Sequence, residues 1–268
     1  MKKGEEVILK YNRVLLKFSG EALRKNGGSR AWDIDQMVIL AFEIRNAISK
    51  FPMLELCLMP GGGNHGRGSE ITRELRTTLE DGTEVFVKPS TAHVVGMLNT
   101  IKNTIVFEDI LGQVLAGIGR EVRSMTAIEM DQVTEEYKLK RAEKQLRNGR
   151  VLIFGAGSGR THFSTDLAAA NRAAELGCDL FLKGTKVKGI FSKDPKDADA
   201  EFLGHLTPQD FIARGLDTIV DADGVTHAGK QGIPARVFNI FESGNLARIL
   251  AGEDIGTAIS IKQQDARS

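Results

Sequence analysis

The stretch Leu54–Gly68, LELCLMPGGGNHGRG, constrains this chain more than any other. Its apolar first half has the length of a buried β-strand and breaks directly into three consecutive glycines. Glycine allows positive φ and lacks the Cβ that would hold backbone N–H groups away from a bulky anion. A glycine run leaving a strand therefore reads as a phosphate-cradling turn. A helix starting next would add its N-terminal dipole, and Arg67 offers a planar, permanently charged fork for phosphate oxygens. A tight surface turn would use the same residues, so the run alone does not decide. Gly61, Gly63 and Gly66 also satisfy G-x-G-x-x-G, the dinucleotide fingerprint of nicotinamide-dependent oxidoreductases. That fingerprint belongs in a compact βαβ unit, whereas Ser69–Thr91 is polar and turn-rich, with no buried-strand run.

Arg13–Phe18 reads as another buried strand, with Lys17 near its C-terminal end. A lysine inside an apolar run needs an anionic partner, and open α/β sheets bind ligands outside the carboxyl ends of their strands. Between these strands, Ile34, Met37, Val38, Ala41, Ile44 and Ile48 recur at helical spacing from Asp33 onward, and Phe51-Pro52 ends the helix. The result is a βαβ unit, which implies parallel strands.

Further along, the pattern predicts a long helix over 92–117, a short strand near Glu121–Ser124 and a helix over about Glu135–Asn148. Arg150–Phe154 is a third buried strand that opens into glycines, GAGSGRTHFSTD. Ser164, Thr165 and Asp166 then start a helix, as caps by default, or as residues that bind a nucleotide or place a metal. Asp179–Lys183 reads as a strand, 185–195 as a hairpin or long loop at the sheet's edge, and Thr207-Pro208 and Asp221 as helix starts. A strand over Ala235–Ile240, a helix over Asn245–Leu250 and a last strand over Gly256–Ile259 complete the pattern. We expect one α/β domain over 1–268: a three-layer αβα arrangement with a mainly parallel sheet and a loose tail at 263–268.

The net charge of +1 gives no nucleic-acid or membrane surface. No stretch approaches the roughly 20 apolar residues of a membrane span, and the start, MKKGEEV, lacks the apolar core of a secretion signal. Cys57 and Cys178, without a spacing pattern, fit a reduced, cytoplasmic protein. The five histidines show no metal-ligand spacing, so no protein-held metal is expected.

Several of these segments together resemble the bacterial uridylate (UMP) kinases of the amino-acid kinase superfamily. They are KFSGEAL at 17–23, GGGN at 61–64 with Arg67 and Gly68, FSTDLAA at 163–169, LKGTKVKGIFSKDP at 182–195 and the closing ARVFNIFESGNLARIL. The resemblance runs in register from about Val14 to Ile259. It implies a carbamate kinase-like fold and transfer of the γ-phosphoryl of ATP, carried with Mg²⁺, to a nucleoside monophosphate, UMP in the first place. It also implies a homohexamer with GTP activation and UTP inhibition, and an acceptor-side lobe over about 8–160 facing an ATP-side lobe over 161–262.

Carried over by position, the resemblance makes Lys17, Arg67 and Asp166 catalytic. Lys17, Phe18, Ser19, Gly20, Gly63 and Arg67 would bind the ATP phosphates, and Thr185, Phe191, Asp194 and Asp221 the ATP nucleoside. Gly62, His93, Ser158, Gly159, Arg160, Thr161, His162, Phe163, Ser164 and Thr165 would bind the acceptor. The chemistry fits these residue types, because phosphoryl transfer asks chiefly for positioning and charge neutralisation. There is no G-x-x-x-x-G-K-[ST].

The chain also departs from the family pattern. Ala92-His93-Val94-Val95-Gly96 stands where the family has G-D-H-M-G, whose aspartate contacts the acceptor ribose. Arg160-Thr161-His162 replaces Asn-Pro-Phe, Lys188 replaces a V-D-G aspartate, and Ser69–Thr91 is longer than the family segment. These changes gather on the acceptor side. They keep open a kinase with another phosphate or carboxylate acceptor, and a nucleotide-binding regulatory or storage protein without turnover.

Overall fold

The computed structural model describes residues 8–25, 27–216 and 222–260; the expected loose tail lies outside them. The first half runs β1 (Arg13–Phe18), α1 (Ile34–Lys50), β2 (Glu55–Pro60), α2 (Gly68–Glu74), β3 (Arg76–Thr78), β4 (Glu84–Phe86) and α3 (Pro89–Ala116). It continues through β5 (Val122–Thr126), β6 (Glu135–Glu136), α4 (Leu139–Arg147) and β7 (Val151–Gly155). The second half runs α5 (Thr165–Glu175), β8 (Leu180–Thr185), β9 (Ile190–Phe191), β10 (Phe202–Leu203), β11 (His205–Leu206), α6 (Pro208–Ala213) and α7 (Ala222–Lys230). It ends with β12 (Ala235–Asn239), α8 (Asn245–Leu250) and β13 (Thr257–Ile259).

Nine strands form one sheet in the order β11-β13-β12-β8-β1-β2-β7-β5-β6. Its pairings are parallel except β12 with β13. The expected α/β class with a mainly parallel sheet is therefore what the chain forms. Strand alternation splits the core in two. Val14, Leu16 and Phe18 pack with residues of α1, α3 and α8 on one face. Leu15, Met59, Phe154 and Phe181 pack with α4, α5 and α7 on the other. The α5 face is built from Ala168, Ala169, Ala170 and Ala173, small residues that bring the helix close to the sheet.

Local chemistry explains the element ends. Asp33 caps α1 by accepting from Gln36 N at 3.0 Å. Glu43 of α1 is buried, and its carboxylate accepts from Gly244 N at 2.9 Å and Leu246 N at 3.0 Å, tying α1 to the start of α8. Pro89 at the first turn starts α3 three residues before the expected boundary. Glu135 and Glu136, expected to open α4, instead pair with Met125 and Thr126 of β5.

The expected turn-rich segment 69–91 forms α2 and an exposed hairpin, β3 with β4. The 185–195 segment is a hairpin in part, since β9 pairs antiparallel with β10 outside the main sheet. Cys57 and Cys178 are both free and buried, and burial pushes the Cys57 thiol up. No helix among the described residues is long and apolar enough to cross a membrane.

Candidate active site

Lys17 and Lys183 are register partners on adjacent strands, β1 and β8, so alternation points both side chains to the α5 face of the sheet. Two ammoniums placed side by side repel unless an anion lies between them. Asp166, in the first turn of α5, is that anion. Its Oδ1 forms an ion pair with Lys17 Nζ at 2.9 Å, and its Oδ2 accepts from Lys183 Nζ at 2.8 Å.

Lys17 and Asp166 are only 6% and 7% exposed, so these charges interact with little solvent screening. Burial pushes the Asp166 carboxyl up, but the two ammoniums more than offset it and hold the group below the usual carboxylate range. Of the roles expected at this helix start, capping is taken by one residue. Ser164 Oγ caps α5, accepting from Leu167 N at 3.1 Å, which leaves Asp166 to the lysines. Gly224 of α7 is pressed against Asp166, where an added Cβ would stand 2.8 Å from Asp166 Cβ.

The glycine loop after β2 meets the turn after β1 at van der Waals limits. A Cβ on Gly20 would fall 2.3 Å from Asn64 Oδ1, 2.7 Å from Gly61 O and 2.8 Å from Gly63 N, so only glycine fits. An amide ladder fixes the loop from beneath. Asn103 Nδ2 donates to Gly61 O at 2.6 Å and to Asn64 Oδ1 at 2.7 Å. Asn64 Nδ2 donates back to Asn103 Oδ1 at 3.0 Å and to Ala31 O at 2.7 Å. Asn99 Nδ2 donates to Gly66 O at 3.1 Å. With its backbone held this way, the loop presents its remaining amides at fixed positions, which is preorganisation for an anion. Arg67 Nε and Ser19 Oγ lie 3.6 and 3.7 Å from one point, the place a Gly63 Cβ would occupy, so the guanidinium folds back over the loop.

These groups line one cleft of about 930 Å³ at the carboxyl ends of β1, β2, β7 and β8. Of the expected site residues, the lining includes Lys17, Ser19, Gly62, Gly63, Arg67, His93, Ser158, Arg160, His162, Phe163, Ser164, Thr165, Asp166 and Thr185. Gly20, Gly159 and Thr161 belong to the same loops without lining the cleft.

Phe18, expected among the ATP contacts, can offer only its backbone to the cleft. Its side chain is fully buried and meets the Phe107 ring edge-on at 5.5 Å, so it is a core residue. Phe191, T-shaped against Phe202, and Asp194, which accepts from Lys196 N, lie away from the cleft lining. Asp221 lies outside the described residues. A smaller hollow of about 510 Å³, bordered by Glu108, Ser124 and Arg141, shares no residue with this cleft.

Three contributors escaped the sequence reading. Lys183 carries the same signal as Lys17, a lysine near the end of an apolar strand. Asn103 carries none, since an asparagine on a mostly apolar helix reveals its role only when the loop above it is placed. Thr100 ties the same helix to the loop after β7, accepting from Ala156 N at 2.8 Å.

The amino acid kinase family model matches residues 12–239. The uridylate kinases of Corynebacterium glutamicum (strain R) and Corynebacterium efficiens are each 38% identical over 250 residues, covering 93% of this chain and 95% of theirs. Among solved structures, a UMP kinase from Bacillus anthracis superposes with a TM-score of 0.83 at 31% identity, covering 94% of this chain and 97% of its own. One from Ureaplasma parvum does so at 0.77 and 28%, with the same coverage. The glycine loop, the lysines and these relatives agree over nearly the whole length, and the chain belongs to the amino acid kinase family, among its uridylate kinases.

Proposed function

We propose that this protein transfers the γ-phosphoryl group of ATP to UMP, giving UDP and ADP, a step in making pyrimidine nucleotides. The observation that carries this reading is the convergence of Lys17, the glycine-loop amides and Arg67 on one cleft beside the buried Asp166. In this reading Lys17, Ser19, Gly20 and Gly63 hold the ATP phosphates, and Gly62 and Arg67 hold the acceptor phosphate. The loop Ser158–Thr165 lines the acceptor nucleoside, and Thr185 lies toward the ATP nucleoside. The acceptor-side lobe is about 8–160 and the ATP-side lobe 161–262.

The acceptor oxygen belongs to a phosphate whose second pKa is about 6, so it is already anionic at neutral pH and needs no general base. A new P–O bond forms from that oxygen as the bond between the γ-phosphorus and the β,γ-bridging oxygen breaks, and ADP leaves with the electron pair. Lys17 neutralises charge spread over the transferring oxygens, and Arg67 lets two anions approach. Asp166 acts on the lysines, since a carboxylate held by two ammoniums and kept below its usual range is a poor proton acceptor. Mg²⁺ enters as the ATP complex, part of the substrate.

Val94, Val95, Leu98 and Ile105 leave an exposed apolar stripe on α3, which supports the homo-oligomer, a hexamer, that the family resemblance implies. GTP activation and UTP inhibition belong to the same reading. Two buried thiols without a disulfide fit a cytoplasmic enzyme.

The test is ADP release from Mg²⁺-ATP with a panel of acceptors, and UMP is expected to give the highest kcat/KM. A second reading, a different acceptor, is favoured by one observation: His93, Arg160 and His162 line the cleft where the family pattern differs. Turnover with CMP, dUMP or a non-nucleotide but not UMP would establish it. ATP binding without transfer to any acceptor would mark a silent homologue.

A further inference from the structure

Trp32, the chain's single tryptophan, lies in the connection between β1 and α1, one residue before the α1 cap Asp33. It is half-buried and does not line the cleft, and neither do Asn64 and Asn103. It nevertheless touches the glycine loop by two routes. Its ring meets the ring of His65, a residue of that loop, in a T-shaped contact at 4.7 Å. Its indole Nε1 donates to Asn103 Oδ1 at 2.8 Å, on the same amide that supports Gly61 from beneath.

The second route fixes an orientation. An asparagine amide accepts at its oxygen and donates at its nitrogen, and turning it over exchanges the two. An indole N–H can only donate, and a backbone carbonyl can only accept. Trp32 therefore requires the oxygen of Asn103 on its side, which leaves the nitrogen toward Gly61 O at 2.6 Å and Asn64 Oδ1 at 2.7 Å. The preceding residue sets Asn64 in the same way, because Ala31 O accepts from Asn64 Nδ2 at 2.7 Å. Two consecutive residues thus hold both amides of the pair. Asn103 is fully buried, so water does not stand in for a missing partner. Residues 31 and 32 are themselves anchored at the helix start, where Asp33 N donates to Leu23 O at 2.9 Å.

The orientation reaches the cleft through one peptide plane. The carbonyl of Gly61 and the N–H of Gly62 belong to the same rigid trans unit and point opposite ways. An oxygen held by Asn103 therefore turns the Gly62 N–H to the other side, and Gly62 lines the cleft. Among the described residues that N–H has no protein acceptor.

Resting on the kinase reading above, we propose that Trp32 is a positioning residue of the phosphoryl transfer: by holding the Asn103 amide in one orientation it aims the Gly62 N–H at the acceptor phosphate. It touches no substrate itself.

The experiment compares steady-state kinetics of the wild type, Trp32→Phe, Asn103→Ala and the double variant. Phenylalanine keeps an aromatic ring beside His65 and removes only the N–H donor, so Trp32→Phe should fold. Its KM for UMP should rise about tenfold, the effect of one misdirected hydrogen bond to a charged group, with the KM for ATP unchanged. A variant that merely folds less well loses kcat and keeps both KM values, so the KM for UMP separates aim from stability. In the Asn103→Ala background, Trp32→Phe should cost nothing further, because the route it acts through is gone.

Should Asn103→Ala fail to fold, spectra of protein carrying isotope-labelled glycine decide the route: the Gly62 amide signal should move between wild type and Trp32→Phe, and an unmoved signal overturns the inference. An unchanged KM for UMP in Trp32→Phe, or a full additional loss in the double variant, overturns it as well. A wild type that turns over no nucleoside monophosphate would remove the kinase reading, and this inference with it. A wild type active on UMP with an unaltered Trp32→Phe would remove this inference alone.

Discussion

Lys17→Ala is expected to lower kcat for UMP phosphorylation by about 10²–10³-fold while the protein still folds. The expectation follows from where Lys17 stands and what remains after it is removed. Its ammonium is nearly buried and pairs with Asp166 Oδ1 at 2.9 Å, and of its three N–H donors one such contact occupies a single one. An oriented cation in a water-poor cleft stabilises charge developing on the transferring phosphoryl far more than it would in water. The loss should therefore appear in kcat more than in the KM for ATP.

Folding should survive because Lys183 still bonds Asp166 Oδ2 at 2.8 Å, so no carboxylate is left buried and unpaired. The variant should also become more sensitive to acid. Asp166 is held below its usual range, so its contribution to stability is present above the unfolded-state pKa of about 4 and is lost as pH falls through the folded value. With one of the two ammoniums gone, the folded value rises and that loss begins at higher pH. Thermal melts from neutral pH down to about pH 3 read this shift. Near-normal kcat in a folded variant would remove Lys17 from the reaction.

Much of this site was legible in the chain before its fold was known. Lys17, Arg67 and the glycines at 61–63 announce themselves through a general conflict, charge or conformational freedom placed at the end of an apolar strand. The periodic helices and buried strands were read nearly to their ends, because burial on one stripe or on both faces leaves a strong pattern. The shortest elements were not. Two-residue strands such as β6 and β9 carry no period at all, and neighbours distant in sequence decide them: Glu135 extends only because β5 offers an open edge.

The direction of the Phe18 ring was hidden for a similar reason. The residue sits inside a motif whose backbone turns toward the cleft, but strand alternation turns its ring the opposite way from Lys17 and into the core. The Asn64–Asn103 ladder and the His93–His162 contact join residues 39 and 69 positions apart, and single-chain reading has no means of pairing them.

Asp166→Ala should show the converse of the Lys17 result, because it removes the carboxylate that the two cations share. Lys17 and Lys183 are opposite one another on paired strands and both face α5, so removing the carboxylate takes away the anion that lies between the two ammoniums. Breaking a buried ion pair from one end costs about 3–5 kcal/mol, and for a chain of this size that lowers Tm by roughly 10 °C.

The destabilisation should shrink as pH rises. In the variant each lysine is easier to deprotonate folded than unfolded, so at alkaline pH the unfolded state binds more protons and stability increases with pH. Wild-type stability should have no such alkaline gain. Adding Lys183→Met to Asp166→Ala removes the repulsion and should recover a large part of the lost Tm. Activity should stay low, because Lys17 has lost the anion that positions it. Calorimetric melts of the wild type and both variants across neutral and alkaline pH test this. A single variant that melts within about 2 °C of wild type at neutral pH, a shift under roughly 1 kcal/mol, would mean that the lysines do not depend on Asp166. The account of how this sheet carries two adjacent cations would then fail.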